Sequence, residues 1–205
     1  MCRARWMNFS TNTLALVSLP SAFAASKALL VSNRGALAVT NSTINANLDF
    51  DVAGGSLVLN NSTLNCAVNC DLQSGSMLVN GGTLNAVAGT TGIRCGRFSG
   101  ANANFVLSSG TVNTLRFHLG SVAGSTANLV INGGTLVATS PVDPFSLGQI
   151  QTTTCSATIT NGNLIATNGY SKIADRADAT FAQSGGNVAF GDLSLGDLGV
   201  GTYNF

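Results

Sequence analysis

Apolar and polar residues alternate along this chain in short bursts, and the bursts recur. An apolar-x-apolar stretch meets a two-residue turn and a second apolar-x-apolar stretch seven times: LAVTNSTINA, LVLNNSTLNC, MLVNGGTLNA, FVLSSGTVNT, LVINGGTLVA, ATITNGNLIA and FAQSGGNVAF. Aligned on Thr43, Thr63, Thr83, Thr111, Thr135, Asn163 and Asn187, the copies lie 20, 20, 28, 24, 28 and 24 residues apart. Self-similarity at such a period marks a stacked array of supersecondary units. The two-residue alternation predicts strands with one face inward, so Leu57, Leu59, Leu64 and Cys66 share a buried face. The same slots hold Met77, Val79, Leu84 and Ala86 in the next copy, and Leu129, Ile131, Leu136 and Ala138 further on.

Between the paired strands stand Asn41-Ser42, Asn61-Ser62, Gly81-Gly82, Ser109-Gly110, Gly133-Gly134, Asn161-Gly162 and Gly185-Gly186. These residue types accept positive φ and close backbone approach, which suits corners. A third strand repeats at the same 20-residue offset, with Leu48, Phe50 and Val52 returning as Val68, Cys70 and Leu72. Three strands and their corners make one coil. Short strands separated by Asn-Gly turns also fit a meander of hairpins. The constant columns of Thr, Asn and Leu decide for a parallel stack, where like residues lie on like about 4.8 Å apart. The expected fold is all-β: a parallel β-helix, right-handed, of about seven coils of 20 to 28 residues and roughly 35 Å long.

From Ile93 the coils lengthen and carry a second phrase: Ile93-Arg94-Cys95-Gly96, Phe117-His118-Leu119-Gly120, Phe145-Ser146-Leu147-Gly148 and Leu193-Ser194-Leu195-Gly196. Inserts of four and eight residues are expected as surface loops. Tyr170-Ser171-Lys172 replaces this phrase, so a loop or distortion is expected near Lys172, with Asp175, Arg176 and Asp178 paired or hydrated there. Phe205 falls in the slot of Phe181 without the following Gly-Gly corner, which reads as a chain that continues.

Only 8% of the residues are charged, none is Glu, and two are Lys. A net charge of +1 argues against nucleic acid, whose recognition needs clustered Lys and Arg. No stretch is long and apolar enough for a transmembrane helix. Residues 1–24 read either as a signal peptide or as one more degenerate coil. For the first, Arg3 and Arg5 precede an apolar Leu14 to Leu19, Pro20 and a small-x-small site at Ala22-Phe23-Ala24. For the second, Val17 and Leu19 stand 20 residues before Leu37 and Val39. The solenoid is assigned to residues 25–205. Apart from Cys2, the cysteines are Cys66, Cys70, Cys95 and Cys155. Export would permit disulfides among them, while the repeat frame places them in inward slots as small buried hydrophobes.

Candidate chemistry is sparse, and no cofactor motif is present. Asp51 stacks on Asp71 and Asp49 on Asn69, so Asp49, Asp51 and Asp71 form an outward acidic patch and the candidates for a calcium site. The bland alternative is a solvated strand edge with no arginine in register. Arg94 and His118 share an outward column, with Arg97 and Arg116 close in sequence, and are the candidates for contact with an acidic glycan. His118 by itself reads as a surface residue without a partner acid. Thr43, Thr63, Thr83 and Thr111 precede Asn45, Asn65, Asn85 and Asn113 by two, which predicts parallel hydrogen-bonded ladders.

The combined phrase, from Leu119-Gly120 through Asn128-Leu129-Val130-Ile131-Asn132-Gly133-Gly134-Thr135-Leu136, resembles the β-strand repeats associated with bacterial autotransporter passengers and related large surface proteins. The resemblance covers about residues 28–205. It implies an exported, elongated protein on the bacterial outer surface, a non-enzymatic stalk or adhesion segment. Its partners would be further coils of the same chain and surface glycans. Gly-Gly-Thr-Leu with alternating apolars is shared with pectin-lyase-like enzymes, so a carbohydrate-active β-helix is the competing reading.

Overall fold

The computed structural model describes the backbone of residues 7–9, 13–17 and 23–25, and the chain from residue 29 to 205, with side chains from residue 30. Every described strand pairs in parallel, and the described residues contain no helix. The pairings form three ladders that climb the molecule together, giving a β-solenoid of about seven coils. Parallel pairing throughout excludes the hairpin meander.

The first ladder stacks Ala36–Thr40 on residues 56–60, 76–80 and 103–107. It continues through Thr126–Ile131, Thr154–Ile159, Ala179–Gln183 and Gly201–Asn204. In the second ladder Thr43, Thr63, Thr83, Thr111, Thr135, Asn163 and Asn187 are successive partners, the seven positions on which the repeat aligns. The third ladder carries Phe50, Cys70, Ile93, Phe117 and Phe145 in one column. Two residues further on, Val52, Leu72, Cys95, Leu119, Leu147, Ile173 and Leu195 form another.

Inward columns are dry. Leu59, Val79, Leu107, Ile131 and Ile159 are each fully buried, as are Leu64, Leu84, Val112, Leu136 and Leu164. Burying a side chain of this size stabilises the fold by roughly 1.5–3 kcal/mol. An aromatic chain runs through the upper coils: Phe105 meets Phe117 edge-on at 5.1 Å, Phe117 stacks on Phe145 at 6.3 Å, and Phe181 meets Tyr203 at 4.8 Å. Such ring pairs add to the burial itself. Cys66, Cys70, Cys95 and Cys155 are buried free thiols in this core, and burial pushes the Cys95 thiol well above its usual range.

The polar columns also bond from coil to coil. Asn65 donates to Asn45 at 2.7 Å, Asn85 to Asn65 at 2.8 Å and Asn113 to Asn85 at 2.9 Å. At this corner Asn41, Asn61 and Gly81 take positive φ of 50°, 47° and 69°, whereas the later coils place it one residue further on, at Gly110, Gly134, Gly162 and Gly186.

Three expectations need correction. Of the loop or distortion expected near Lys172, the distortion is present, as an irregularity in register between Ala166 and Tyr170, but there is no loop. Lys172 lies in the strand Asn163–Ile173, between Ser146 and Ser194 in the third ladder, so the phrase is Ser171-Lys172-Ile173 and starts one residue later than expected. Ser171 takes the inward slot above Phe145, and Phe190 from the second face lies 5.8 Å from the Phe145 ring, so an aromatic two strands away supplies the missing bulk. Ala174, at φ 61°, serves as the corner that glycine provides elsewhere. Phe205 does not occupy the slot of Phe181. Tyr203 does, and Phe205 is 94% exposed, because this step is two residues shorter than the 24-residue frame assumes. Leu48 is 43% exposed, outside the third strand.

Most of the expected export signal, including Arg3, Arg5, Pro20 and Ala22, lies outside the described residues. Within that region, Leu14 pairs with Leu37 and Leu16 with Val39, a register three residues away from the one that sets Val17 and Leu19 on these partners.

Candidate cationic cavity

The middle position of the third ladder points away from the core, and there the chain places its charge. Asp51, Asp71, Arg94 and His118 are successive partners, followed by Ser146, Lys172 and Ser194. The column expected to face solvent is largely covered. Asp71 and His118 are each 4% exposed and Ser146 is fully buried, because the loops that follow Cys95, Leu119 and Leu147 fold back over it.

Asp71 is therefore no part of an open acidic edge. Its Oδ1 accepts from Arg94 Nε at 2.8 Å, and its Oδ2 accepts from Arg94 at 2.7 Å and from Arg97 at 2.8 Å. A 20-residue frame places no arginine beside Asp71. The actual step is 23 residues, and it sets Arg94 directly on Asp71. Asp49 accepts from Asn69. Asp49, Asp51 and Asp71 do not converge, and the described residues contain no cluster of three or more metal-ligating side chains. Asp51 stays half-buried above Asp71, with Oδ1 sealed from water and without a partner. Its burial, reinforced by the charges of Asp71 and Asp49, raises its pKa to about 6.

His118 shares the Arg94 column as expected but is not a surface residue, and it has a partner acid. Its Nε2 lies 2.9 Å from the Asp143 carbonyl and 3.4 Å from the Asp143 carboxylate, and its Nδ1 lies 2.8 Å from the Gln149 amide nitrogen. Burial lowers its affinity for a proton against the opposing pull of Asp143. The neutral tautomer fits all of these contacts: Nε2–H donates to the Asp143 carbonyl, and Nδ1 accepts from the Gln149 amide. Lys172 pairs with Asp175 at 2.9 Å and Asp197 at 3.5 Å.

Arg94, Arg97, Arg116, His118, Ser121 and Gln149 enclose a cavity of about 190 Å³, open to solvent on one side. Its wall contains three guanidinium groups and no carboxylate. Arg116 forms no ion pair with a described residue; its Nε donates to Ser140 Oγ at 3.4 Å. Ser121 Oγ is buried without a hydrogen-bond partner. Sequence reasoning missed Ser121, Gln149 and Asp143. Arg97, Ser121 and Gln149 each follow the glycine that closes the third-ladder phrase, a periodic signal that could have found them. Asp143 sits in a non-periodic insert and had none.

Chemically the cavity is built to hold negative charge. The carboxylate of Asp71 is engaged by two arginines and both nitrogens of His118 by protein partners, so neither offers an idle proton acceptor to the cavity. A second, shallower groove of about 420 Å³ runs beside the Asn45, Asn65 and Asn85 ladder. No protein-family model matches the chain, and no curated protein or solved structure is significantly similar to it.

Proposed function

We propose that this chain is a segment of an exported, non-enzymatic surface protein, in which the solenoid acts as a stalk or passenger and presents its loops for adhesion. The observation that carries the reading is how fully coil-to-coil bonding uses the polar side chains. Asn ladders, corner residues and the Asp71–Arg94 pair all tie one coil to the next. A fold made of such contacts gains length by adding coils, which suits an extended spacer. The resemblance to autotransporter-associated repeats agrees with this reading. So does the apolar face of the last described coil. There Leu193, Leu195, Leu198 and Val200 are 37%, 49%, 71% and 69% exposed, although Cys95, Leu119 and Leu147 in the Leu195 column are fully buried. A further coil is the surface that fits it.

Two measurements test the proposal. Antibody against the 148–153 loop should label intact, unpermeabilised producing cells; retention inside the cell would overturn export. Incubation with acidic and neutral polysaccharides should leave their chain length unchanged. Shortening that disappears in Asp71→Asn or Arg94→Gln would establish the competing carbohydrate-active reading instead.

A further inference from the structure

We infer that the cavity beside Arg116 is a binding site for one oxyanion group, a carboxylate or a sulfate, carried by an acidic saccharide. The inference stands whether or not the chain is exported. Three guanidinium groups converge on this one cavity, in a chain with only seven arginines. Asp71 neutralises part of that charge and holds Arg94 and Arg97 in place from below. Arg116 is left with a single long bond to a hydroxyl, so its guanidinium is available for the two-pronged contact that suits carboxylate and sulfate oxygens.

The neutral groups match the same ligand. Ser121 lines the cavity, and its Oγ is sealed from water without a hydrogen-bond partner among the described residues, so a χ1 rotation that turns it toward the cavity would supply a hydroxyl donor to a bound oxyanion. Gln149 is oriented by its bond to His118 and retains its amide oxygen as an acceptor for a sugar hydroxyl. About 190 Å³ admits an acidic group with little more than one ring. That is below the size of ordinary small-molecule pockets, roughly 300–1,000 Å³. The third ladder offers no row of cations beyond this point, since Lys172 is held by Asp175 and Asp197. The site therefore suits a single anionic sugar unit and not the regularly spaced phosphates of a polyanion.

The full chain is titrated with glucuronate, glucose 6-sulfate, inorganic phosphate and glucose, following ligand line-broadening by NMR. Saturable binding of glucuronate or the sulfated sugar is expected, with none for glucose, and the two acidic arms show which oxyanion is preferred. Arg116→Gln should weaken that binding at least about tenfold, the effect of losing one charge-assisted contact. Arg116 takes part in no ion pair with a described residue, so the variant should keep the parent's circular dichroism. Should it fail to fold, protection of Arg116 in the wild-type chain from phenylglyoxal by glucuronate replaces it. Binding of inorganic phosphate alone, an adventitious ion only, would overturn the assignment to a saccharide. Absence of saturable binding, or binding that neither Arg116→Gln nor phenylglyoxal perturbs, would overturn the site.

Discussion

At the scale of single residues, Asp51 holds the least comfortable charge in the third ladder. It lies over Asp71, whose oxygens are taken by Arg94 and Arg97; its own Oδ1 is sealed from water and unpaired among the described residues, and Gln73 offsets only part of the cost of its charge. Burial first, then Asp71 and Asp49, raise its pKa from 3.8 to about 6. The folded chain thus binds this proton more tightly than the unfolded chain does. Between pH 4 and pH 6 the native state carries the extra proton, so the contribution of Asp51 to stability falls as pH rises through about 6. Asp51→Asn removes the penalty. Its melting temperature should exceed that of the wild type at pH 7.5, and the gap should narrow through about pH 6 and close only below the unfolded value of 3.8, at about pH 3. Equal differences at both pH values would show that Asp51 is not strained. Comparing the two proteins cancels the opposite trend of His118, which is buried neutral and favours the folded state as pH rises.

At the scale of the element, the corner is the tightest part of a coil. Gly110, Gly134, Gly162 and Gly186 stack at one corner, and each has a positive φ. A Cβ on Gly134 would lie 2.5 Å from the carbonyl oxygen of Gly110 and 2.9 Å from its nitrogen. Backbone cannot yield as a flexible side chain can. Gly100 has a similar φ of +71° but nothing within 4 Å, so the pair separates conformational strain from collision. Gly100→Ala should cost about 1–2 kcal/mol, the penalty for a left-handed residue with a Cβ. Gly134→Ala should cost clearly more, measured as the shift in urea midpoint at constant slope. Equal costs would mean that the coils can separate locally. The column of these glycines runs back through Gly82 to Ser62, and in the first coils the positive φ sits one residue earlier, at Asn41 and Asn61.

At the scale of the whole molecule, stability is a chain of neighbour contacts, and a coil with one bare face is the weak member. Leu198 and Val200 project from such a face, and the last strands present unpaired backbone beside it. Exposed strand edges flanked by apolar side chains recruit another chain. The isolated chain should therefore associate with rising concentration in sedimentation velocity, and Leu198→Lys with Val200→Lys should shift it toward monomer. A wild-type chain that stays monomeric at high concentration would contradict this view of the end coil.

Most of the fold was legible in the sequence because a solenoid repeats its contacts. Each residue of a column meets the residue one coil away, so the recurrence of one phrase around Thr43, Thr63, Thr83 and Thr111 already stated which residues touch, even where the step lengthens from 20 to 28 residues. Alternation separated inward Leu and Ile from outward Thr and Asn, and the corner residues marked the turns. What depended on the tertiary structure was everything outside the period. A 23-residue step set Arg94 on Asp71, and a 22-residue step replaced Phe205 by Tyr203 opposite Phe181. An insert brought Asp143 onto His118, Gln149 reached the ring from the following coil, and together they helped turn an outward column into a buried one. Repetition encodes contacts between like positions; a loop's contact with a neighbouring coil follows from the path it takes through space, which no periodic pattern records.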